Sequence, residues 1–184
     1  MKNICLIPAR GGSKRIPNKN IKNFHGKPLI AWSIEAAKSS GLFESIYIST
    51  DDIKIAKIAK SYGAKIPFLR PKNLSNDFAI DKEVRDHFIK WMKDNMIDAS
   101  ILCYLYATAP FINKETLIGC HETLIKSSAM SSITLTTFPY SPLRALKKDI
   151  NGFVSYMWEK HASSRSQDLP ELLHDAGQCY FYDL

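Results

Sequence analysis

Short apolar runs and segments with apolar positions three and four residues apart alternate through the first two thirds of the chain. Runs of the first kind predict buried strands at 3–7, 45–49, 65–69, 100–105 and 131–136. Between the first two, Pro28 in a first helical turn and Leu29, Ile30, Ile34 and Ala37 at helical spacing predict a helix stopping near Gly41. Asp51 or Asp52 is placed to cap a second helix carrying Ile55, Ile58, Ala59 and Tyr62, with Gly63 at its end. After a polar loop at 70–77, Ile80, Val84, His87, Phe88, Trp91 and Met92 mark one stripe of a longer helix. Asn113 is positioned to cap a fourth, with Leu117, Cys120, His121 and Leu124 inward. Strands alternating with helices predict an α/β fold with a mostly parallel sheet covered on both faces.

From 138 to 174 the alternation fails, and Pro139, Pro142, isolated aromatics and charges replace it. Irregular segments of that length serve as lids, binding loops or partner contacts, so this one is expected to be an excursion used for closure or dimerisation. The run at 178–182 is strand-like, and the chain reaches Leu184 without a helix to cover it. That ending predicts a single domain over 1–184 whose C-terminal part is missing.

Length and composition narrow the function without choosing it. A chain of 184 residues, 45% hydrophobic, suits one sizeable core. A net charge of +7 favours anionic partners, but no run of like charge and no basic stripe interleaved with aromatics is present, so nucleic acid is not the expected partner. No apolar stretch approaches the roughly 18 residues of a membrane helix, and no secretory leader precedes the first strand. Cys5, Cys103, Cys120 and Cys179 sit in apolar contexts without metal spacing and read as core residues of a cytoplasmic protein. The five histidines are scattered, and His87 and His121 fall on apolar helix faces, where packing is their default role.

The chemistry concentrates in the loop leaving the first strand, Ile-Pro-Ala-Arg-Gly-Gly-Ser-Lys-Arg-Ile-Pro-Asn-Lys-Asn over residues 7–20. Gly11 and Gly12 can adopt positive φ and leave backbone N–H groups open to an anion, while Arg10, Lys14, Arg15 and Lys19 supply charge. This spacing is not that of a Walker loop, and Pro17 interrupts any following helix, which disfavours a P-loop ATPase. Either the loop holds a polyphosphate at the carboxyl end of a strand, where open α/β sheets bind ligands, or it is an ordinary turn with solvated lysines.

Four ordered motifs carry a resemblance: the 7–20 loop, Ser49-Thr50-Asp51-Asp52, Thr108-Ala109-Pro110, and Arg165-Ser166-Gln167-Asp168-Leu169-Pro170. Together they resemble the nonulosonic acid cytidylyltransferases, the CMP-sialic acid synthetase family. With His174-Asp175-Ala176-Gly177-Gln178 after the fourth, the chain is most similar to the pseudaminic acid branch. The resemblance implies a three-layer Rossmann-like nucleotidyltransferase in which the anomeric hydroxyl of a sugar acid attacks the α-phosphate of CTP and expels pyrophosphate. It places Arg10, Lys14 and Lys19 in catalytic roles, and Arg10, Gly11, Gly12, Ser13, Lys14, Lys19 and Asn20 around the nucleotide. Arg70, Ser75 and Ala79 fall near the base. Tyr106, Arg165, Gln167, Asp168, Asp175, Gln178 and Tyr180 fall on the sugar side, with Arg165 reaching the sugar carboxylate across a homodimer.

Two departures bear on the substrate. Tyr106 stands where sialic acid enzymes carry glutamine, and Ala107 replaces the usual proline. A tyrosine can stack on a deoxy-sugar methyl and donate one hydrogen bond, which suits a less polar acid such as pseudaminic acid; it can equally be sheet packing. Sialic and legionaminic acid remain alternatives, as does a degenerate module that binds nucleotide without turnover. The resemblance implies Mg2+ on the triphosphate, with the family's metal-binding aspartates in a segment that would follow Leu184, and hence weak CTP binding by this chain.

Overall fold

The computed structural model describes residues 2–184 and divides them into two compact units. The first comprises residues up to Thr134 together with Gly177–Leu184, and the second is Leu135–Ala176.

A five-stranded sheet organises the first unit. Its strands are β1 (Asn3–Pro8), β2 (Ser45–Ser49), β3 (Ile101–Leu105), β4 (Ser131–Thr137) and β5 (Leu173–Asp183), in the spatial order β2-β1-β3-β5-β4. The β1 strand pairs in parallel with both β2 and β3, and β5 joins β3 antiparallel. Helices α1 (Leu29–Ser39), α2 (Ile53–Ser61), α3 (Asp81–Asp94) and α4 (Lys114–Ile125) follow the predicted segments closely. The alternation of side chains along a strand sorts the core. Cys5, Ile7, Ile101, Cys103 and Leu105 pack into one cluster with Ile30, Ile34, Ile55, Leu117 and Leu124, from α1, α2 and α4. Ile4, Leu6, Leu102 and Tyr104 project the other way onto Phe88 and Met92 of α3. Phe88 is fully buried, and side chains of its class contribute about 1.5–3 kcal/mol each on burial.

The expected strand at 65–69 does not form. Only two isolated parallel bridges, Tyr47 to Lys65 and Thr50 to Leu69, tie this segment to β2. Between them stands Pro67, which has no N–H to continue a ladder, so pairing survives at the ends alone. The second correction concerns α3: Ile80 is its N-cap and is 57% exposed, so the buried stripe begins at Val84 rather than Ile80.

The second unit contains its own antiparallel hairpin, Leu146–Lys148 with Val154–Tyr156, and three short 3-10 turns. Among the described residues no helix is long and apolar enough to cross a membrane.

Candidate active site

A cavity of about 560 Å³ opens in the first unit at the carboxyl ends of β1 and β3. The loop after β1 contributes Arg10, Ser13, Lys14, Arg15, Lys19 and Asn20. The segment leading into α3 contributes Arg70, Leu74, Asn76, Asp77, Ala79 and Asp81, and the end of β3 adds Tyr106, Ala107 and Thr108.

The loop is held from both sides. Buried Asn20 donates its side-chain N–H to the Arg10 carbonyl at 2.9 Å, and the N–H of Gly11 donates to Asp51 Oδ1 at 2.9 Å. Asp52, not Asp51, caps α2, accepting from the backbone N–H groups of Lys54 and Ile55. These bonds correct the expected role of the glycines. Neither Gly11 nor Gly12 is left-handed, and the residue with positive φ in this loop is Asn18, at 54°. The need for glycine at position 11 is close approach: a Cβ there would lie 2.9 Å from both Cβ and Oδ2 of Asp52. Gly11, Gly12 and Ser75 lie outside the cavity lining; the Ser75 hydroxyl donates to the Pro71 carbonyl.

Asp77 engages two cations of the loop. Its Oδ1 lies 2.9 Å from Arg10 Nη1 and its Oδ2 2.5 Å from Lys14 Nζ. Hydrogen bonds from Lys14 and Arg10 hold its carboxyl below the ordinary value. Arg10 also donates to the Asn76 carbonyl at 2.7 Å, so the 76–77 segment and the loop form one electrostatic unit. A carboxylate oxygen here occupies the kind of contact that a phosphate oxygen would make with the same two cations.

Arg70 is buried, and its Nε and Nη2 have no hydrogen-bond partner in the protein. Desolvation lowers its pKa, partly offset by Asp51 and Tyr104. Arg70 lines the cavity, and a guanidinium offers donors only, which suits acceptors such as a carbonyl oxygen or ring nitrogen.

Tyr104 and Tyr106 share the parity of Leu102 and therefore extend over the α3 face of the sheet. There the Tyr104 hydroxyl donates to Asp81 Oδ1 at 2.9 Å, and the Tyr106 hydroxyl donates to Asp81 Oδ2. Burial, then the charge of Asp81, raises the Tyr104 pKa, so it keeps its proton and its donor role. The hydrogen bond expected from Tyr106 to a substrate is instead directed to Asp81. Tyr106 is anchored through its backbone as well: its N–H donates to the Gln178 carbonyl, its carbonyl accepts from buried Ser33, and its ring meets that of Tyr180 at 5.5 Å. Gln178 and Tyr180 are not cavity residues, and Tyr106 is.

Arg165, Gln167, Asp168 and Asp175 belong to the second unit. There Arg165 forks onto Asp168, with Nε to Oδ2 at 2.6 Å and Nη2 to Oδ1 at 3.1 Å. Asp77 and Asp81 are the two cavity carboxylates that sequence reasoning missed. Asp81 stands one helical turn before buried Val84 and meets the Tyr104 hydroxyl, and that spacing was the signal available.

Comparison with known proteins bears on this arrangement. The Cytidylyltransferase family profile matches residues 4–166. A pseudaminic acid cytidylyltransferase from Campylobacter jejuni is 47% identical over 98% of this chain and 78% of its own length. A CMP-N,N′-diacetyllegionaminic acid synthase from Legionella pneumophila is 42% identical over 77% of this chain and 61% of that protein. Among solved structures, a CMP:2-keto-3-deoxy-manno-octonic acid synthetase complexed with CTP superposes with a TM-score of 0.72 at 19% identity, covering all of this chain and 74% of the other; it shares the fold.

Proposed function

Because the chain belongs to the cytidylyltransferase family, we propose that its cavity binds CTP and a nonulosonic acid, pseudaminic acid first, and joins them as a CMP-sugar with release of pyrophosphate. The observation that carries this reading is the set of cations lining one cavity with Tyr106: Arg10, Lys14, Arg15, Lys19 and buried Arg70. A relative 47% identical over nearly the whole chain bears the pseudaminic acid name.

The chemistry follows from these groups. The anomeric hydroxyl oxygen of the sugar acid forms a bond to the α-phosphorus as the bond from that phosphorus to the bridging oxygen of the β-phosphate breaks. The hydroxyl proton leaves to solvent, and the electron pair departs on pyrophosphate. Negative charge spreads over the phosphate oxygens throughout, so alignment and fixed cations supply most of the acceleration. Arg10 and Lys14 exchange the Asp77 carboxylate for phosphate oxygens, Lys19 adds a third charge, and Ser13 and Asn20 complete the polar wall. Arg70 supplies donors to the cytosine carbonyl and ring nitrogen, beside Ala79.

Mg2+ belongs to the same proposal and would supply charge neutralisation to the triphosphate and its leaving group. The described residues include no group of three His, Cys, Asp or Glu side chains that could hold an ion, and Asp77 is engaged by two cations, so they do not form its cage. A cytoplasmic homodimer, with Arg165 exchanging Asp168 for a sugar carboxylate in the neighbouring subunit, completes the reading.

Pyrophosphate release with CTP and, in turn, pseudaminic, legionaminic and sialic acid tests it. Turnover fastest with pseudaminic acid is expected. CTP binding with no release for any sugar acid would instead identify a nucleotide-binding module without transferase activity.

A further inference from the structure

The cavity holds one carboxylate that the proposed phosphoryl transfer does not use. Asp81 is the first residue of α3, it lines the cavity, and among the described residues it forms no ion pair with a lysine or arginine. Asp77, by contrast, is neutralised by Arg10 and Lys14. A carboxylate has roughly four acceptor sites, and the two tyrosine hydroxyls fill one on each oxygen, which orients the group and leaves acceptor capacity on both oxygens. Charge assistance makes the bonds to it strong and the carboxylate plane fixed.

Such a wall selects by sign. A carboxylate held by two hydroxyls rather than by a direct ion pair is a poor seat for phosphates or a sugar carboxylate, which belong with Arg10, Lys14, Arg15 and Lys19 of the same cavity. It welcomes N–H and O–H donors. Its neighbours in the lining are Val84, which is apolar, and the Tyr106 ring. An acceptor beside apolar surface matches an acylamino substituent, whose N–H needs an acceptor and whose methyl needs a dry contact. Nonulosonic acids carry such groups, as the N,N′-diacetyl relative spells out in its name.

We propose that Asp81, held in place by Tyr104 and Tyr106, accepts a hydrogen bond from an acylamino N–H of the sugar acid and is a specificity-determining residue of this site. The proposal rests on the reading of the cavity as a nonulosonic acid cytidylyltransferase centre and assigns the sugar contact within it. Asp81 makes no bond and moves no proton in the reaction; its contribution is discrimination, because an analogue without the N–H, seated against Asp81, leaves that acceptor without a donor.

The test is the Asp81→Asn variant, with steady-state constants for sugar acid and CTP measured separately and CTP affinity measured by calorimetry. Loss of a charge-assisted bond inside the site predicts a fall in kcat/KM for the N-acylated sugar acid of roughly 10- to 100-fold, with CTP affinity within about twofold of wild type. The preference for an acylamino sugar acid over its hydroxyl counterpart should shrink in the variant. A matched loss of CTP affinity would assign Asp81 to the ribose or base and overturn the proposal, as would unchanged constants for both substrates. Should Asp81→Asn fail to fold, Tyr106→Phe removes one of the two hydroxyls that orient the carboxylate and should weaken sugar use alone. Loss of CTP affinity in Tyr106→Phe, or no effect on sugar use, would equally refute the assignment. Wild-type protein that releases no pyrophosphate with any sugar acid removes the underlying reading, an outcome distinct from an Asp81 failure, in which wild type stays active.

Discussion

Gly11→Ala offers a sharp test of why the loop carries glycine. The added methyl would sit 2.9 Å from Cβ and Oδ2 of Asp52 and 3.3 Å from its Cγ, closer than packed carbons tolerate. Because the offending Cβ is fixed to the backbone at the N-cap of α2, a rotamer change of Asp52 cannot relieve the contact, and either the loop or the cap must move. Overpacking of this kind costs about 1–3 kcal/mol. At about 2–4 °C per kcal/mol for a chain of this length, Tm should fall by roughly 2–12 °C. All three nearest atoms belong to one side chain, so Asp52→Gly should erase the penalty, while itself costing only about a few tenths of a kcal/mol because glycine is tolerated at an N-cap. Urea unfolding of both single variants and the double variant closes the cycle. Strong coupling is expected, with Gly11→Ala nearly neutral in the Asp52→Gly background. Additivity within about 0.5 kcal/mol would show that the contact is not the cause. CTP affinity followed in parallel should drop in Gly11→Ala and recover in the pair.

Arg70→Met should raise the stability of the nucleotide-free protein while weakening CTP binding, since it removes a buried guanidinium whose Nε and Nη2 are unmet; each such group costs about 1–3 kcal/mol. A melt and a titration check both signs, and a destabilised variant that binds CTP normally contradicts them. Asp77→Asn should release Arg10 and Lys14 and tighten CTP binding, read by calorimetry. Its pH signature follows from the lowered carboxyl: the stability that Asp77 adds is present above its ordinary value of 3.8 and is lost as pH falls through the lower folded value. The gap between wild type and Asp77→Asn should therefore be constant near neutrality and close in acid. Finally, Cys5, Cys103, Cys120 and Cys179 are all free and buried, so a thiol reagent should find them slow in the native protein and react with all of them in denaturant. Cys120, at 9% exposure against none for the other three, should be the fastest of the slow set.

Most of the layer arrangement was legible because buried parallel strands leave near-continuous apolar runs, as in 100–105, and covering helices leave a single stripe. The segment 65–69 misled for a physical reason. Lys65, Ile66, Phe68 and Leu69 have strand composition, but a proline at its centre reduces the pairing to two bridges. The cationic half of the cavity was readable because its residues are consecutive in one loop. Its acidic half was not, since Asp81 meets Tyr104 and Tyr106 only through the sheet and α3, more than twenty positions apart in sequence. Asp77 was hidden similarly: its partners Arg10 and Lys14 reach it across the fold, and nothing in the 70–77 loop distinguishes it from a solvated aspartate. Which of Asp51 and Asp52 would cap α2 is decided by Gly11, whose N–H takes the other.

The interrupted segment beside β2 has a further consequence. A parallel sheet that ended on a bare strand would offer a row of open donors and acceptors to any extended chain passing by. Here the flank is occupied by residues 65–69, pinned at both ends, with Pro67 presenting a ring where a recruiting strand would need an amide. Lateral growth into aggregates is blocked on that side by an irregularity, and replacing Pro67 with valine would trade this safeguard for a longer, stickier border.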